Sequence, residues 1–370
     1  MILQPGEGPI RGSYLPADPG RVFWGRLPCG ADEPVLEIDP GVEVTIDTIS
    51  HEGVLDDQGS DPVAYFGSHG VAPESVLRDA VELTATRERN TDDGPHVVTG
   101  PILVRGAQPG DLLAIEVVEL LPRVPYGVIS NRHGRGALPG EFPRGDANVS
   151  IFATLDAPGD LLFAQDGALT DPKVDLLGQI ASIPLREGAT ERVHFPTAPF
   201  LGTMGVAVPG AERPHSVPPG MHGGNIDINL LTAGSTLYLP VLVPGALAYV
   251  GDPHFAQGDG EVALTALEAS LRATLRFRIV PAGDPFAPFV HTYGPVVETP
   301  DYWVPTGLDE DLREAMKKSV RAAIAFLVRE YQMDEEHAYA YLSAATDFDI
   351  SQVVDRVTGV HARIRKADFG

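Results

Sequence analysis

A short segment of the chain, Gly251–Glu261, combines the residue types that bind and use a metal ion. It holds three carboxylates, one imidazole and one carboxamide among several glycines. If the backbone is extended, Asp252 and His254 project to the same side, because side chains two positions apart share one face of a strand. Mixed oxygen and nitrogen donors suit zinc or a similar divalent ion, and Glu261 stands where it could act as the base for an activated water. The segment therefore predicts a metal site, with a solvated turn carrying ordinary surface acids as the alternative.

A second segment upstream, Pro218–Asp227, could contact a substrate. Its two consecutive glycines allow the backbone to approach another group closely. In an extended chain Asn225 and Asp227 share a face, and His222 could donate a hydrogen bond to a carbonyl oxygen. A turn stabilised by Asn and Asp side chains explains the same residues.

Two further histidines stand at the ends of predicted strands. His96 precedes an apolar run, and His51 follows another. Imidazole is a common zinc ligand. A histidine beside a strand is also a common hydrogen-bonded structural group, so the positions alone leave both roles open.

Alternation of apolar and polar residues predicts many short strands. The predicted strand segments are 35–49, 96–118, 235–243, 271–280 and 350–364. The proline inside 235–243 predicts an edge strand or a bulge, because proline cannot donate to a sheet ladder. The arginines that alternate with apolar residues in 271–280 predict one basic, solvated face.

Helical periodicity is concentrated near the end of the chain. Apolar residues recur at steps of three and four over 312–331, and three acidic residues precede them, as suits a helix N-terminus. Asp334 predicts the cap of a second, shorter helix that ends near Leu342. A small helix is expected from Glu74 to about Ala80.

These elements predict a mainly β protein of the α+β type, with a β-sandwich or barrel-like fold and a smaller C-terminal α/β portion. The Pro- and Gly-rich segment 281–288 lies between the last strong strand and the helices. We therefore expect a β-rich catalytic region over residues 1–280. Residues 281–370 would form the C-terminal portion, with two helices and a final strand packed on the first region. Strands and long helices do not alternate, which argues against a Rossmann fold or a TIM barrel.

Composition limits the partners. The 370 residues include 27 basic and 51 acidic ones, so the formal charge is −24. Such a surface repels nucleic acid and anionic membranes, so neutral small molecules are the easier partners. Cys29 is the single cysteine, and neither a secretory signal nor a membrane-spanning run is visible. The expected location is the cytoplasm.

Five ordered motifs resemble acetamidase/formamidase sequences, and the resemblance as a whole covers the chain from about residue 35 to 365. They lie at 96–111, 200–207, 218–241, 251–261 and 350–361. The resemblance implies a β-rich fold, hydrolysis of short aliphatic amides such as formamide or acetamide with release of ammonia, and a homo-oligomer. It strengthens the metal interpretation of Gly251–Glu261 and favours a functional role for His96.

The resulting hypothesis is a metal-dependent hydrolase of small primary amides. A divalent ion, zinc by preference, would be held by His96, Asp252 and His254, with His51 or Asp227 as further ligands. Glu261 is the predicted proton acceptor, with Asp227 next in line. The residues expected to orient the amide are His222 and Asn225.

Several alternatives stay open at this point. Motifs of other amide hydrolases and of zinc proteases are missing, which favours water activated by a metal. The segments 48–53 and 122–143 depart from the family pattern, so a larger or cyclic amide is a possible substrate. A rival of another class is a non-catalytic β-sandwich that binds a small molecule or a partner chain. It would scatter the histidines and acids that the hypothesis brings together.

Overall fold

The computed structural model describes residues 2–156 and 180–370. Within these residues the chain forms twenty strands and five α-helices. The strands are β1 (Ser13–Leu15), β2 (Phe23–Trp24), β3 (Leu36–Ile38), β4 (Glu43–Asp47), β5 (Val97–Val104), β6 (Leu112–Pro122), β7 (Tyr126–Asn131), β8 (Val149–Leu155), β9 (Ile180–Pro184), β10 (Arg192–Pro196), β11 (Phe200–Val206), β12 (Gly223–Asn225), β13 (Thr236–Pro240), β14 (Ala248–Ala256), β15 (Leu267–Glu268), β16 (Leu271–Val280), β17 (Val296–Glu298), β18 (Tyr302–Asp309), β19 (Asp347–Gln352) and β20 (Thr358–Arg365). The helices are α1 (Pro62–Ser68), α2 (Arg78–Thr86), α3 (Phe286–Tyr293), α4 (Leu312–Tyr331) and α5 (Glu335–Ala345).

Two sheets organise the described residues. One has nine strands in the order β1-β4-β16-β6-β13-β17-β18-β20-β19. The other has eleven: β10-β9-β8-β7-β15-β14-β11-β12 form its main path, and β5 pairs with β14, β2 and β3. Alternate side chains of both sheets meet in the largest hydrophobic cluster, which includes Ile46, Ile115 and Phe277 from the first sheet and Met204 and Val250 from the second. The prediction of a mainly β, sandwich-like architecture is therefore confirmed, and no closed barrel forms among the described strands.

The C-terminal helices cover one part of the first sheet. Asp311 caps α4 by accepting hydrogen bonds from the backbone of Arg313 and Glu314. This helix buries an apolar stripe that includes Phe326 and Leu327, together with residues of α3, α5 and β20. Both predicted helices are present, whereas α3 begins inside the segment 281–288 that was expected to be a boundary. The division at residue 280 stays a prediction, and the nine-stranded sheet contains strands from both sides of it.

Four local expectations were wrong. β13, expected at an edge or a bulge, is an interior strand between β6 and β17. The sheet tolerates Pro240 because it occupies the last position of the strand, where a backbone N–H is not needed. Arg272 is only 1% exposed, so the solvated basic face expected for its strand is present only at the other end, at Arg276 and Arg278. The segment 350–364 is a hairpin of β19 and β20, since a turn interrupts it. The small helix expected at 74–80 begins later, at Arg78.

No helix among the described residues is both long and apolar enough to cross a bilayer.

Candidate functional site

A cavity of about 870 Å³ lies beside β14 and the connections that precede β5 and β15. Its lining includes histidines and acids from segments far apart in the chain: His51, His96, Asn225, Asp252, Glu261, Glu268 and Asp355. Most of these side chains are almost inaccessible to solvent, so the charged groups are held in a low-dielectric environment.

Asp252 is at the centre of this group, and its backbone has an unusual conformation. It lies inside β14, yet its φ is +49°, in the left-handed region. Asp252 Oδ2 is 3.2 Å from His254 Nε2. The two residues do come together as predicted, but not because an extended strand places them on one face. The left-handed turn at Asp252 redirects its side chain, as strained residues at functional sites often do.

His51 and His96 reach Asp252 from two other elements. His96 immediately precedes β5, and β5 pairs with β14 so that Val98 is opposite Gly251. His96 Nε2 is 3.8 Å from Asp252 Oδ1. His51 follows β4, and its Nδ1 is 3.3 Å from the same oxygen. The three histidines proposed as metal ligands are therefore gathered around the fourth proposed ligand, Asp252.

Glu268 belongs to this group although the sequence analysis did not identify it. β15 pairs with β14 so that Glu268 is directly opposite His254, and Glu268 Oε1 is 3.0 Å from His254 Nε2. The other oxygen, Oε2, is 3.8 Å from His51 Nδ1. The available signal was a single acid within the short apolar run 266–269.

The ligand-type atoms of this group lie close together but are not oriented to bond one another. His51 Nδ1, Asp252 Oδ1, His254 Nε2 and Glu268 Oε2 are buried and have no hydrogen-bond partner among the described residues. Three of the residues, His51, His96 and Asp252, have donor atoms within 4.8 Å of one another. Buried polar atoms without partners are rare in native proteins, which makes this group a candidate site for a bound cation.

A second group, on the other side of Asp252, consists of acids alone. Asp227, Glu261 and Asp355 present carboxylate oxygens within 4.8 Å of one another. Asp227 and Glu261 have left-handed backbones, with φ of +47° and +46°. Burial, followed by the neighbouring carboxylates, raises the pKa of both Asp227 and Glu261 well above the usual range. We call these three residues the acidic group, and His51, His96, Asp252, His254 and Glu268 the histidine group.

Comparison with known proteins identifies the family. Residues 89–363 match the sequence profile of the Acetamidase/Formamidase family. The chain belongs to this family. The resemblance seen in the five motifs is thereby confirmed.

Curated members of this family match the chain over part of its length. It is 31% identical over 220 residues to an acetamidase of Mycolicibacterium smegmatis, covering 48% of this chain and 52% of that protein. It is 32% identical over 196 residues to a formamidase of Methylophilus methylotrophus, and this match covers 45% of this chain and 47% of that protein. The matched part thus spans about half the length of these relatives.

Solved structures show the same fold over nearly the whole chain. An acetamidase from Bacillus halodurans superposes with a TM-score of 0.69 at 22% identity and covers 96% of this chain and 98% of its own. An acetamidase from Yersinia enterocolitica gives a TM-score of 0.71 at 22% identity, and the superposition covers 99% of this chain and 94% of that protein. His51 precedes the profile match, whereas the acidic group and the other members of the histidine group fall within it.

The two residues predicted to contact substrate are placed differently. Asn225 lines the cavity, but its amide is engaged: its Oδ1 accepts from Thr203 Oγ1 at 2.8 Å, and its Nδ2 donates to Asp355 Oδ2 at 3.0 Å. It therefore orients Asp355. His222 is not among the cavity-lining residues, and burial lowers its pKa to about 4. Its ring packs between Gly220 and Gly224.

Glu52 and Arg132 support the histidine group from behind. Glu52 Oε1 is 3.3 Å from His51 Nε2 and accepts from Arg132 Nη1 at 3.0 Å. Arg132 Nε in turn donates to Asp57 at the cavity rim, at 2.6 Å. The segment 122–143 thus contributes Arg132 to the wall of the site.

Proposed function

We propose that this protein hydrolyses small primary amides to a carboxylate and ammonia, and that the reaction depends on a divalent metal. The observation that carries the proposal is the convergence of three histidines on Asp252 at the base of the cavity. Family membership supports amide hydrolysis, because relatives of this chain are named acetamidase and formamidase. A non-catalytic scaffold has no need to keep such groups together.

The chemistry of the donors fits a metal. Three imidazoles and a carboxylate are a common ligand set for zinc, and their unpartnered atoms are the ones a cation would satisfy. His51, His96, Asp252 and His254 would hold the ion, and Glu52 would fix the ring of His51, as carboxylates commonly do for metal-binding histidines. When bound, a divalent ion supplies Lewis-acid activation of water and of the amide carbonyl.

Glu261 is the proposed proton acceptor. Its carboxylate lies within 4.8 Å of donor atoms of His254 and Glu268, and its left-handed backbone turns it towards the cavity. Water would attack the carbonyl carbon while Glu261 accepts one of its protons, giving a tetrahedral intermediate. Glu261 would then pass this proton to the nitrogen of the intermediate as the C–N bond breaks, so that ammonia leaves rather than an unstable amide anion. Asp227 is the second candidate for this role.

A larger amide is the second candidate substrate. The cavity, at about 870 Å³, lies in the size range of sites for drug-sized ligands, far above the need of acetamide. Primary amides of increasing chain length, together with a cyclic amide, would rank the two possibilities by kcat/KM.

The decisive experiment measures ammonia release from this amide panel before and after exhaustive chelation. We expect turnover to be abolished by chelation and restored by zinc, with manganese as a second choice. Full activity in a verified metal-free preparation would refute metal dependence, and Cys29 would then be tested as a nucleophile. Absence of ammonia release from every amide would favour a binding role. We also expect the protein to be cytoplasmic and to form a homo-oligomer. Light scattering after gel filtration would test the oligomeric state.

A further inference from the structure

We propose that the mouth of the cavity selects primary amides whose far end carries an anion, in the simplest case a carboxylate. The mouth is the part of the lining around Asp56, Asp92, Arg135 and Arg356, which are all exposed to solvent. This inference rests on the proposed amide hydrolysis and names the class of substrate. Arg135 and Arg356 would bind the anionic end. The monoamide of a dicarboxylic acid is the simplest substrate of this class, and its hydrolysis consumes one water and yields a dicarboxylate and ammonium.

Arg135 lies on a turn that is hydrogen-bonded to the chain just after the proposed proton acceptor. The backbone N–H of Ala137 donates to the carbonyl oxygen of Val262 at 2.9 Å. At the start of the turn, Asn131 Nδ2 donates to the carbonyl oxygen of Ala263 at 2.8 Å. These bonds hold the turn, and with it Arg135, at one wall of the cavity.

Arg356 lies on a second turn, which is hydrogen-bonded to the chain just before Glu261. The backbone N–H of Gly260 donates to the carbonyl oxygen of Ser351 at 3.2 Å, and the carbonyl oxygen of Gly260 accepts from the backbone N–H of Val353 at 3.3 Å. The two turns thus flank the segment that carries Glu261, and each contributes one arginine to the lining. The far end of an amide held beside Glu261 would therefore meet both arginines.

Both arginines are available to an anion. Neither has an ion-pair partner among the described residues, although the chain has 51 acidic residues and only 27 basic ones. Arg132, on the same turn as Arg135, is by contrast paired with Glu52 at 3.0 Å and with Asp57 at 2.6 Å. A guanidinium is always charged, and its geometry matches that of a carboxylate. Two unpaired guanidiniums at the mouth of a cavity therefore favour an anionic ligand.

The acids at the mouth do not cancel this charge. Asp92 has no ion-pair partner in the part of the chain that the structure describes. The other acids of the mouth are each paired with an arginine: Asp56 with Arg89, Asp57 with Arg132, and Asp93 with Arg26. Two unpaired cations therefore face one unpaired anion. The mouth keeps a local positive charge on a protein whose formal charge is −24.

The base of the cavity is different in charge from the mouth. The acids that line it are buried: Asp252, Glu261, Glu268 and Asp355. A further carboxylate is disfavoured in this buried, acid-rich region, whereas a neutral amide group is not repelled. A carboxylate-ended amide would therefore enter with its amide group first and keep its anionic end at the arginines. The cavity volume of about 870 Å³ leaves room for a carbon chain between the two ends.

Matched amides separate the charge of the far end from its size. Ammonia release is measured with monoamides of dicarboxylic acids of increasing length, with amides of the same lengths that end in methyl, and with amides that end in ammonium. We expect the carboxylate-ended series to have the highest kcat/KM, by about tenfold over the methyl-ended series, because two exposed ion pairs each contribute a few-fold in affinity. The advantage should lie mainly in KM and should shrink as salt is added, since salt screens exposed charges.

Variants of the two arginines test their part in this preference. The double variant Arg135→Gln, Arg356→Gln should reduce the ratio of kcat/KM for carboxylate-ended to methyl-ended amides by about tenfold. The double variant Arg135→Lys, Arg356→Lys keeps both charges and should retain part of the ratio. Arg313→Gln is the matched control, because this exposed arginine has no ion-pair partner among the described residues and does not line the cavity. It should keep the wild-type ratio.

Each outcome decides between the two proposals. Equal kcat/KM for carboxylate-ended and methyl-ended amides, or a ratio that the double glutamine variant leaves unchanged, would overturn the inference and leave amide hydrolysis intact. An equal loss in all three series would show a structural role of the arginines and would also overturn it. If no amide released ammonia, the proposed function would fail. Calorimetry of the carboxylate-ended amide would then test the mouth alone, and equal binding to wild type and to the double glutamine variant would refute its role.

Discussion

Gly202 provides a sharp test of the site geometry, because the absence of a side chain there leaves room for Asp227, Asp252 and His254. A β-carbon at this position would lie 2.5 Å from Asp227 Oδ1, 2.7 Å from Asp252 Oδ2 and 2.7 Å from His254 Cε1. Ordinary contact needs about 3.4 Å, so Gly202→Ala forces shifts of roughly 0.7–0.9 Å in side chains that the structure already holds tightly. Metal–ligand distances tolerate only about 0.2 Å.

We therefore expect Gly202→Ala to lower kcat/KM by about 100-fold, since misplacement on the order of 1 Å costs that much in an active site. Metal affinity should fall as well, by about 10- to 100-fold. Overpacking will also destabilise the fold by about 1–3 kcal/mol, so the change needs a control for stability.

The control is Gly205→Ala, on the same strand. Its β-carbon would approach the ring of Tyr249, which is buried and does not line the cavity. Both variants are assayed for ammonia release and for metal content per folded chain, with thermal unfolding measured in parallel. Only Gly202→Ala should lose metal and activity. If it retained wild-type kcat/KM at wild-type metal content, the placement of Asp227, Asp252 and His254 around one site would be refuted.

Three further predictions concern proton transfer and stability. Glu261→Gln should reduce kcat by about 10²–10⁴-fold with little change in KM and with the zinc of the histidine group retained; more than about a tenth of the wild-type rate would assign the base elsewhere. Asp47→Asn should lower the free energy of unfolding by about 3–5 kcal/mol in urea titrations. Asp47 accepts from buried Arg272 at 2.6 Å, and the change leaves that cation unpaired; a loss below about 1 kcal/mol would contradict this view. Burial lowers the pKa of His361 from 6.5 to about 4. As the pH drops from 6.5 to 4, the unfolded chain therefore takes up a proton that the folded protein does not. The free energy of unfolding should fall over this range by up to about 3 kcal/mol. His361→Gln should flatten this part of the pH profile of unfolding, and an unchanged slope would show that the histidine does not contribute.

Local pattern predicted the parts of the site that are close in sequence. Asp252, His254 and Glu261 share one segment, and the residue types alone indicated their chemistry. Glu268 and Asp355 were missed because their roles depend on which strands become neighbours. Glu268 becomes a site residue only through its pairing with His254 across β14 and β15, and a single sequence does not specify that register.

The same reason explains the error at Arg272. Alternation correctly predicted β16 and the side on which Arg272 lies, but solvent exposure depends on what covers that side. Here the guanidinium meets Asp47 on the neighbouring strand β4, and residues near the N-terminus cover both. Charged residues are seldom buried unless paired, and the partner of Arg272 is more than two hundred residues away in the chain.

The left-handed backbones of Asp227, Asp252 and Glu261 imply a trade-off between stability and function. Each such residue costs on the order of 1–3 kcal/mol, and Asp227 and Glu261 also bring a carboxylate into a buried space beside other carboxylates. Evolution would discard three such positions if folding were the only demand. Replacing Asp227 by glycine should relieve both the backbone strain and the repulsion from its neighbouring carboxylates, and the expected product is a less active protein that melts at a higher temperature than metal-free wild type. In this fold, the residues that make the chain useful are among those that make it less stable.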